Sequence, residues 1–123
     1  MIAIKDFTDI TYATDRGVGI ITINRPDRYN ALRGRTVDEL LAAFKYAWVD
    51  QEVGAVILTG AGGDFCSGQD LSDRGSARAD AHVLASMRNI TDVAMALARI
   101  PQPTIAKIRG VAVGAGCNMA LMC

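Results

Sequence analysis

Apolar residues fall along this chain in three rhythms, and each predicts a different kind of element. Residues 8 to 14 alternate weakly and VGIITIN at 18 to 24 is rich in β-branched side chains, with DRG between them supplying turn chemistry, so an opening hairpin is expected. Val37, Leu40, Leu41, Phe44 and Trp48 recur at helical spacing. Thr36 followed by Glu39 has the signature of a capping box, so this helix should start near Thr36 and bury a single stripe. VGAVILT at 53 to 59 and TIAKI at 104 to 108 are short continuous apolar runs that predict strands, the first buried on both faces as in a parallel sheet. Between them a second helix is traced from about Asp80 through Val83, Met87, Ile90, Ala94 and Leu97 to its stop at IPQP, with those side chains read as core. RGVAVGAGCNMALMC then passes from a glycine-punctuated turn into a helical run that reaches Cys123 without a Gly, Pro or polar cap, which predicts a chain cut within a helix.

A hairpin followed by alternating helices and strands is the order of an α/β domain. At 123 residues, half of them hydrophobic, the chain can bury one core and is too short for two ordinary domains. Thirteen basic residues balance thirteen acidic ones without clustering, which leaves no electrostatic footprint for nucleic acid or a membrane surface. No basic stretch precedes an apolar run at the amino terminus, and no segment approaches eighteen uninterrupted apolar residues, so a soluble, cytoplasmic protein is expected. Cys66, Cys117 and Cys123 are odd in number and lack CxxC spacing, which argues against a disulfide framework or a zinc knuckle and for a reducing compartment.

The candidate chemistry lies on two glycine loops. GGDFCSGQDLSD, residues 62 to 73, follows the first buried run, and Gly114-Ala115-Gly116 follows the second and leads into a helix. Ligands collect at the carboxyl ends of strands in α/β sheets, and amides at a helix start favour negative charge. One amide from each loop would form an oxyanion hole; the plain alternative is two ordinary turns. A dinucleotide fold also opens with strand, GxG and helix, but position 119 is Met where the third glycine belongs, and no GxxxxGK[ST] occurs. Cys66 paired with His82 is a candidate nucleophile, with a packed thiol beside Phe65 as its rival. Zinc on the three cysteines and His82 has no usual ligand spacing. Asp64, Asp70 and Asp73 suit capping or solvation. RPDRYNALRGR at 25 to 35 is a loop whose arginines either meet an anion or are solvated.

The segments ITINRPDRYNAL, VGAVILTGAGGDFCSGQDLSD and PQPTIAKIRGVAVGAGCNMAL, in this order, resemble the enoyl-CoA hydratase/isomerase (crotonase) superfamily from about Val18 to the end of the chain. The resemblance implies a crotonase-like ββα spiral core, with residues 1–123 as the amino-terminal portion of one domain, truncated before the carboxyl-terminal helices. It implies an acyl-CoA substrate, no cofactor beyond the coenzyme A of that substrate, no metal, and assembly as trimers or dimers of trimers. Carried onto this sequence, the family's oxyanion amides fall on Gln69 and Ala115. Cys66, Ser67 and Gly68 would line the pantetheine and adenine path, Arg28, Ala31 and Leu32 would meet coenzyme A with Arg28 or Arg25 on a phosphate, and Asp70, Leu71, Ser72 and Gly114 complete the substrate-binding set. The departure is Asn118, where the hydratases carry a glutamate. An amide cannot take a proton near neutral pH, so two-glutamate hydration is placed in doubt. GQDLSDR with GVAVGAG looks like the ring-epoxide isomerases of phenylacetyl-CoA breakdown, whose acid would lie beyond Cys123. Isomerisation is therefore the expected reaction. Hydration, thioester hydrolysis and carbon-carbon cleavage are alternatives within the fold, and a non-catalytic acyl-CoA-binding module or an NAD-binding domain are alternatives outside it.

Overall fold

The computed structural model describes residues 1–72 and 83–123, and of residues 83–88 the helical backbone alone. The expected helix start near Asp80, and Asp73 and His82, lie outside the described residues, as do the side chains of Val83 and Met87. Strands β1 (Ile10–Asp15) and β2 (Val18–Ile23) form the opening hairpin. Its two turn residues, Arg16 and Gly17, take φ of 49° and 80°, the mirror-image turn whose twist suits two flanking strands. Helix α1 (Gly34–Val49), strand β3 (Ala55–Gly60), helix α2 (Val83–Arg99), strand β4 (Thr104–Lys107) and helix α3 (Ala115–Met122) follow.

The sheet order is β1-β2-β3-β4, antiparallel in the hairpin and parallel thereafter. Each new strand adds at the same edge, so the right-handed crossovers through α1 and α2 put both helices on one face, where they touch each other. A dinucleotide fold instead reverses direction and opens a crevice at the reversal. This sheet has no such reversal among its described strands.

Burial on both faces of the strand expected at 53 to 59 is not found. Along β3 Val56, Leu58 and Gly60 are buried while Ala55, Ile57 and Thr59 are half-buried, and β4 alternates between half-buried and exposed. The reason is topological: one face carries the helices, and β4 is the edge among the described strands.

Two features of α1 also differ from expectation. The helix starts at Gly34 with Arg33 as its cap, which makes Thr36 the third helical residue, accepting from the Arg33 N–H at 3.2 Å. Glu39 does not reach back to cap. Fully buried, its carboxylate accepts from the backbone N–H groups of Thr8, Asp9 and Ile10 at 2.8, 2.9 and 3.3 Å and so anchors the entry to β1. The buried arc is centred on Thr36, Leu40, Ala43 and Ala47, about a quarter turn from the expected stripe, because small side chains let the helix sit close to the sheet. Leu41 is left half-buried and Trp48 is 50% exposed. On α2, Val93, Leu97 and Ile100 just beyond its end are buried, whereas Ile90 and Ala94, expected in the core, are half-buried and line a cavity.

Candidate functional site

Both glycine loops are built by close backbone approach. A side chain at Gly60 would fall on the carbonyl oxygens of Asp64 and Phe65, so the chain can fold back on the end of β3 only through glycine there. Asn30 pins this turn from outside. Its Nδ2 donates to Ala61 O at 2.9 Å and Asp64 O at 2.8 Å, and its Oδ1 accepts from the Arg25 N–H at 2.9 Å. Asn30 and Tyr29 both take left-handed backbone, φ 56° and 52°, which Asn tolerates better than most residues. Sequence reasoning passed over Asn30; the available signal was an amide residue between the RPDR turn and an apolar Ala-Leu pair.

From there the loop runs beside the segment entering α3. Phe65 and Cys66 N–H groups both donate to Val111 O at 3.0 Å, and Val113 N–H donates to Cys66 O at 3.1 Å. A Cβ on Gly116 would collide with Cys66 O, and one on Gly68, whose φ is 97°, would lie 2.9 Å from Val113 O and 3.5 Å from Ala115 N. The two glycine loops therefore touch, with Gly68 against Gly114 and against Ala115, the first residue of α3.

The Ala115 N–H, at the first position of α3, has no acceptor among the described residues, as expected of a group in the first helical turn. Gln69 is bracketed from the other side. Leu32 N–H donates to Gly68 O and Asp70 N–H donates to Leu32 O, each at 2.8 Å, making a parallel bridge between Leu32 and Gln69.

Ala115 and Asn118 line a cavity of about 340 Å³ with Leu32, Ile90, Met119 and Met122 among its walls. Gln69 lines a smaller neighbour of about 60 Å³ that shares Leu32 and Ile90. No carboxylate lines either cavity among the described residues.

The remaining expected site residues are distributed as follows. Gly68 and Gly114 meet at the junction, with Ser67 half-buried beside it. Ala31 is buried, Arg28 is exposed on the short helical turn Pro26–Arg28, and Leu71 and Ser72 are exposed. The Cys66 side chain is wholly buried in the core; burial pushes its thiol up to about 11, against the opposing effect of the Gly68 N–H on its sulfur, so it is a neutral thiol at pH 7. Asp64 accepts from the Val111 N–H and so caps that segment.

Arg25 departs from the phosphate-binding expectation. Its guanidinium is turned inward, donating to Ala31 O at 2.5 Å and to Asp70 Oδ2 at 3.1 Å, and stands 4.0 Å from Asp9. Asp70 is held below its ordinary range first by the Ser72 hydroxyl, then, against the effect of burial, by the Ser72 N–H and Arg25. Burial alone would raise Asp9, yet two Arg33 bonds of 2.7 Å and one of 2.7 Å from Thr36 bring it down to about 2. Sequence reasoning missed Asp9, whose partners lie 24 and 27 residues away.

Among the described residues, no three His, Cys, Asp or Glu side chains come together as a metal site, and no helix is long and apolar enough to cross a membrane.

Residues 13–123 match the family model described as enoyl-CoA hydratase/isomerase. A protein of Mycobacterium tuberculosis named as a probable enoyl-CoA hydratase is 41% identical over 115 residues, covering 94% of this chain and 44% of that protein. The crystal structure of an enoyl-CoA hydratase/isomerase from Xanthobacter autotrophicus Py2 superposes with a TM-score of 0.89 at 42% identity, over 95% of this chain and 44% of that one. That of an enoyl-CoA hydratase from Mycobacterium avium subsp. paratuberculosis gives 0.81 at 32%, over 94% and 44%. The chain thus spans about 44% of the length of the curated relatives it matches.

Proposed function

Because the chain belongs to the enoyl-CoA hydratase/isomerase family, we propose that the protein carrying it acts on acyl-CoA thioesters through an enolate held by the Gln69 and Ala115 amides. The observation that carries this reading is the contact between the two glycine loops, which sets an Ala115 N–H without an acceptor among the described residues, on the wall of an apolar cavity, near the Gln69 segment that lines an adjoining one. Two donors aimed at a thioester oxygen stabilise the charge that builds on it when a proton leaves the α-carbon.

Isomerisation is the preferred reaction, of the kind carried out by the ring-epoxide isomerases or by enzymes that shift a double bond. In the double-bond case the α-proton leaves to a base, the electron pair moves into the enolate, and a proton returns at the γ-carbon. Asn118 lines the cavity and can orient a carbonyl or a water, but it cannot carry that proton. The proton carrier is assigned to a carboxylate outside residues 1–123, residues 1–123 to the amino-terminal portion of one crotonase-like domain, and the assembly to a trimer or a dimer of trimers. No cofactor beyond substrate coenzyme A enters the scheme.

One observation favours a second reading, a non-catalytic acyl-CoA-binding module: the cavity walls carry no carboxylate among the described residues. Mass spectrometry of 3-enoyl-CoA and 2-enoyl-CoA incubated with the whole protein in D₂O separates these. Isomerisation gives a shifted double bond with deuterium uptake and no added water, hydration adds one water, and a binding module retains the thioester unchanged. Absence of both binding and conversion across a panel of acyl-CoAs overturns the assignment.

A further inference from the structure

Gln69 lies between two backbone groups that pair with Leu32, namely Gly68 O and Asp70 N–H. In a parallel bridge the flanking groups face the partner strand, and the central residue's own N–H faces away from it. The direction of the Gln69 amide is therefore set by the register of residues 68–70 on Leu32.

One side chain spans that register. Arg25 donates through Nη1 to the carbonyl of Ala31, the residue before Leu32, and through Nη2 to the carboxylate of Asp70, the residue after Gln69. A guanidinium is a rigid planar fork, so these two bonds fix the two segments against each other in a way that a flexible ammonium cannot. The fork is itself tethered. The Arg25 main-chain N–H donates to Asn30 Oδ1, which holds the backbone from which the fork extends, and Asp9, held by Arg33 and Thr36, stands 4.0 Å from its Nε. The second Asp70 oxygen is occupied by the Ser72 N–H and hydroxyl at 3.0 and 2.6 Å. Only 12% of the Arg25 side chain and 11% of the Asp70 side chain are exposed, so water competes little with the pair.

We propose that Arg25 and Asp70 are positioning residues that aim the Gln69 amide at the thioester oxygen. This rests on the oxyanion reading above. Without the Asp70 charge, the Arg25 fork is drawn toward Asp9 and takes the Ala31 carbonyl with it, which turns the bridge that orients Gln69. A displaced donor costs turnover more than affinity, since it acts on oxygen charge that builds up only as the transition state forms.

The test uses the whole protein with an acyl-CoA labelled with ¹³C at the thioester carbonyl, whose infrared stretch moves to lower frequency when hydrogen bonds polarise it. For D70N and for R25K the expected result is a reduced carbonyl downshift and a kcat lower by about 10- to 100-fold, with KM within about threefold of the parent. A residue needed only for stability would lower the melting temperature while leaving the carbonyl of bound thioester as polarised as before. A normal downshift and kcat in both variants overturns the positioning role and leaves the oxyanion hole standing. No downshift in the parent protein overturns the hole and the positioning role together. R25K keeps a positive charge beside Asp9, so it carries the same test should D70N fail to fold.

Discussion

The two amides proposed to bind the thioester oxygen rest on unlike foundations. Gln69 is framed by a two-bond bridge to Leu32 and by the ion pair of half-buried Arg25 with buried Asp70, with Asp9 and Arg33 beyond them. Ala115 opens an eight-residue helix on which only Gly116 and Met119 are buried, while Val113, Leu121 and Met122 around it are exposed. The first donor is held by directional polar contacts over long sequence distances. The second is held by glycine-permitted backbone packing against Cys66, so steric changes should damage it and charge changes should damage its partner.

The largest effect is expected from Ala115→Pro, which deletes one donor at a helix position that tolerates proline. It should lower kcat about 100- to 1,000-fold in steady-state assays of the whole protein. Unchanged kinetics in a folded variant would remove Ala115 from the site. Gly116→Ala attacks the packing beneath that donor, because the new methyl would fall on Cys66 O. A loss of about 3 kcal/mol in chemical denaturation is expected.

For the charged foundation the lever is pH. Asp9 stays ionised down to about 2 in the folded protein, against an ordinary 3.8, so its contribution is complete above the unfolded value and is lost as pH falls from about 4 toward 2. That contribution is about 2.5 kcal/mol, and Asp9→Asn should flatten the acid limb of a denaturation-versus-pH series. The smallest effect belongs to Trp48→Gln. The half-exposed indole should cost under about 1 kcal/mol, whereas Phe44→Ala, on the same helix and fully buried, should cost about 3 to 5 kcal/mol.

What was legible in the sequence follows the same division. The hairpin, the β-α alternation and both glycine loops declare themselves locally, because β-branched runs, helical spacing and turn residues act over a few positions. The face of α1 was not legible. Trp48 fits the helical period as well as Phe44 does, and only the sheet decides that Ala43 and Ala47 turn inward. Thr36 and Glu39 read as a local cap, yet Thr36 donates to Asp9 and Glu39 accepts from Thr8, Asp9 and Ile10, about 30 residues away. Arg25 read as a surface cation for the same reason: nothing near it in sequence announces Asp70, 45 positions on. The placement of Gln69 and Ala115 on adjoining cavities that share Leu32 and Ile90 required the fold itself.

The sheet order β1-β2-β3-β4 has a consequence for how such a chain is born on the ribosome. Among the described residues every strand docks on the edge left by its predecessor, so no earlier pairing there has to open to admit a later one, and synthesis and assembly can proceed in the same direction. The newest strand is then always the vulnerable one. On β4 that exposure falls on Ile105, while Lys107 supplies the charge that discourages a stray strand from another nascent chain from pairing there first.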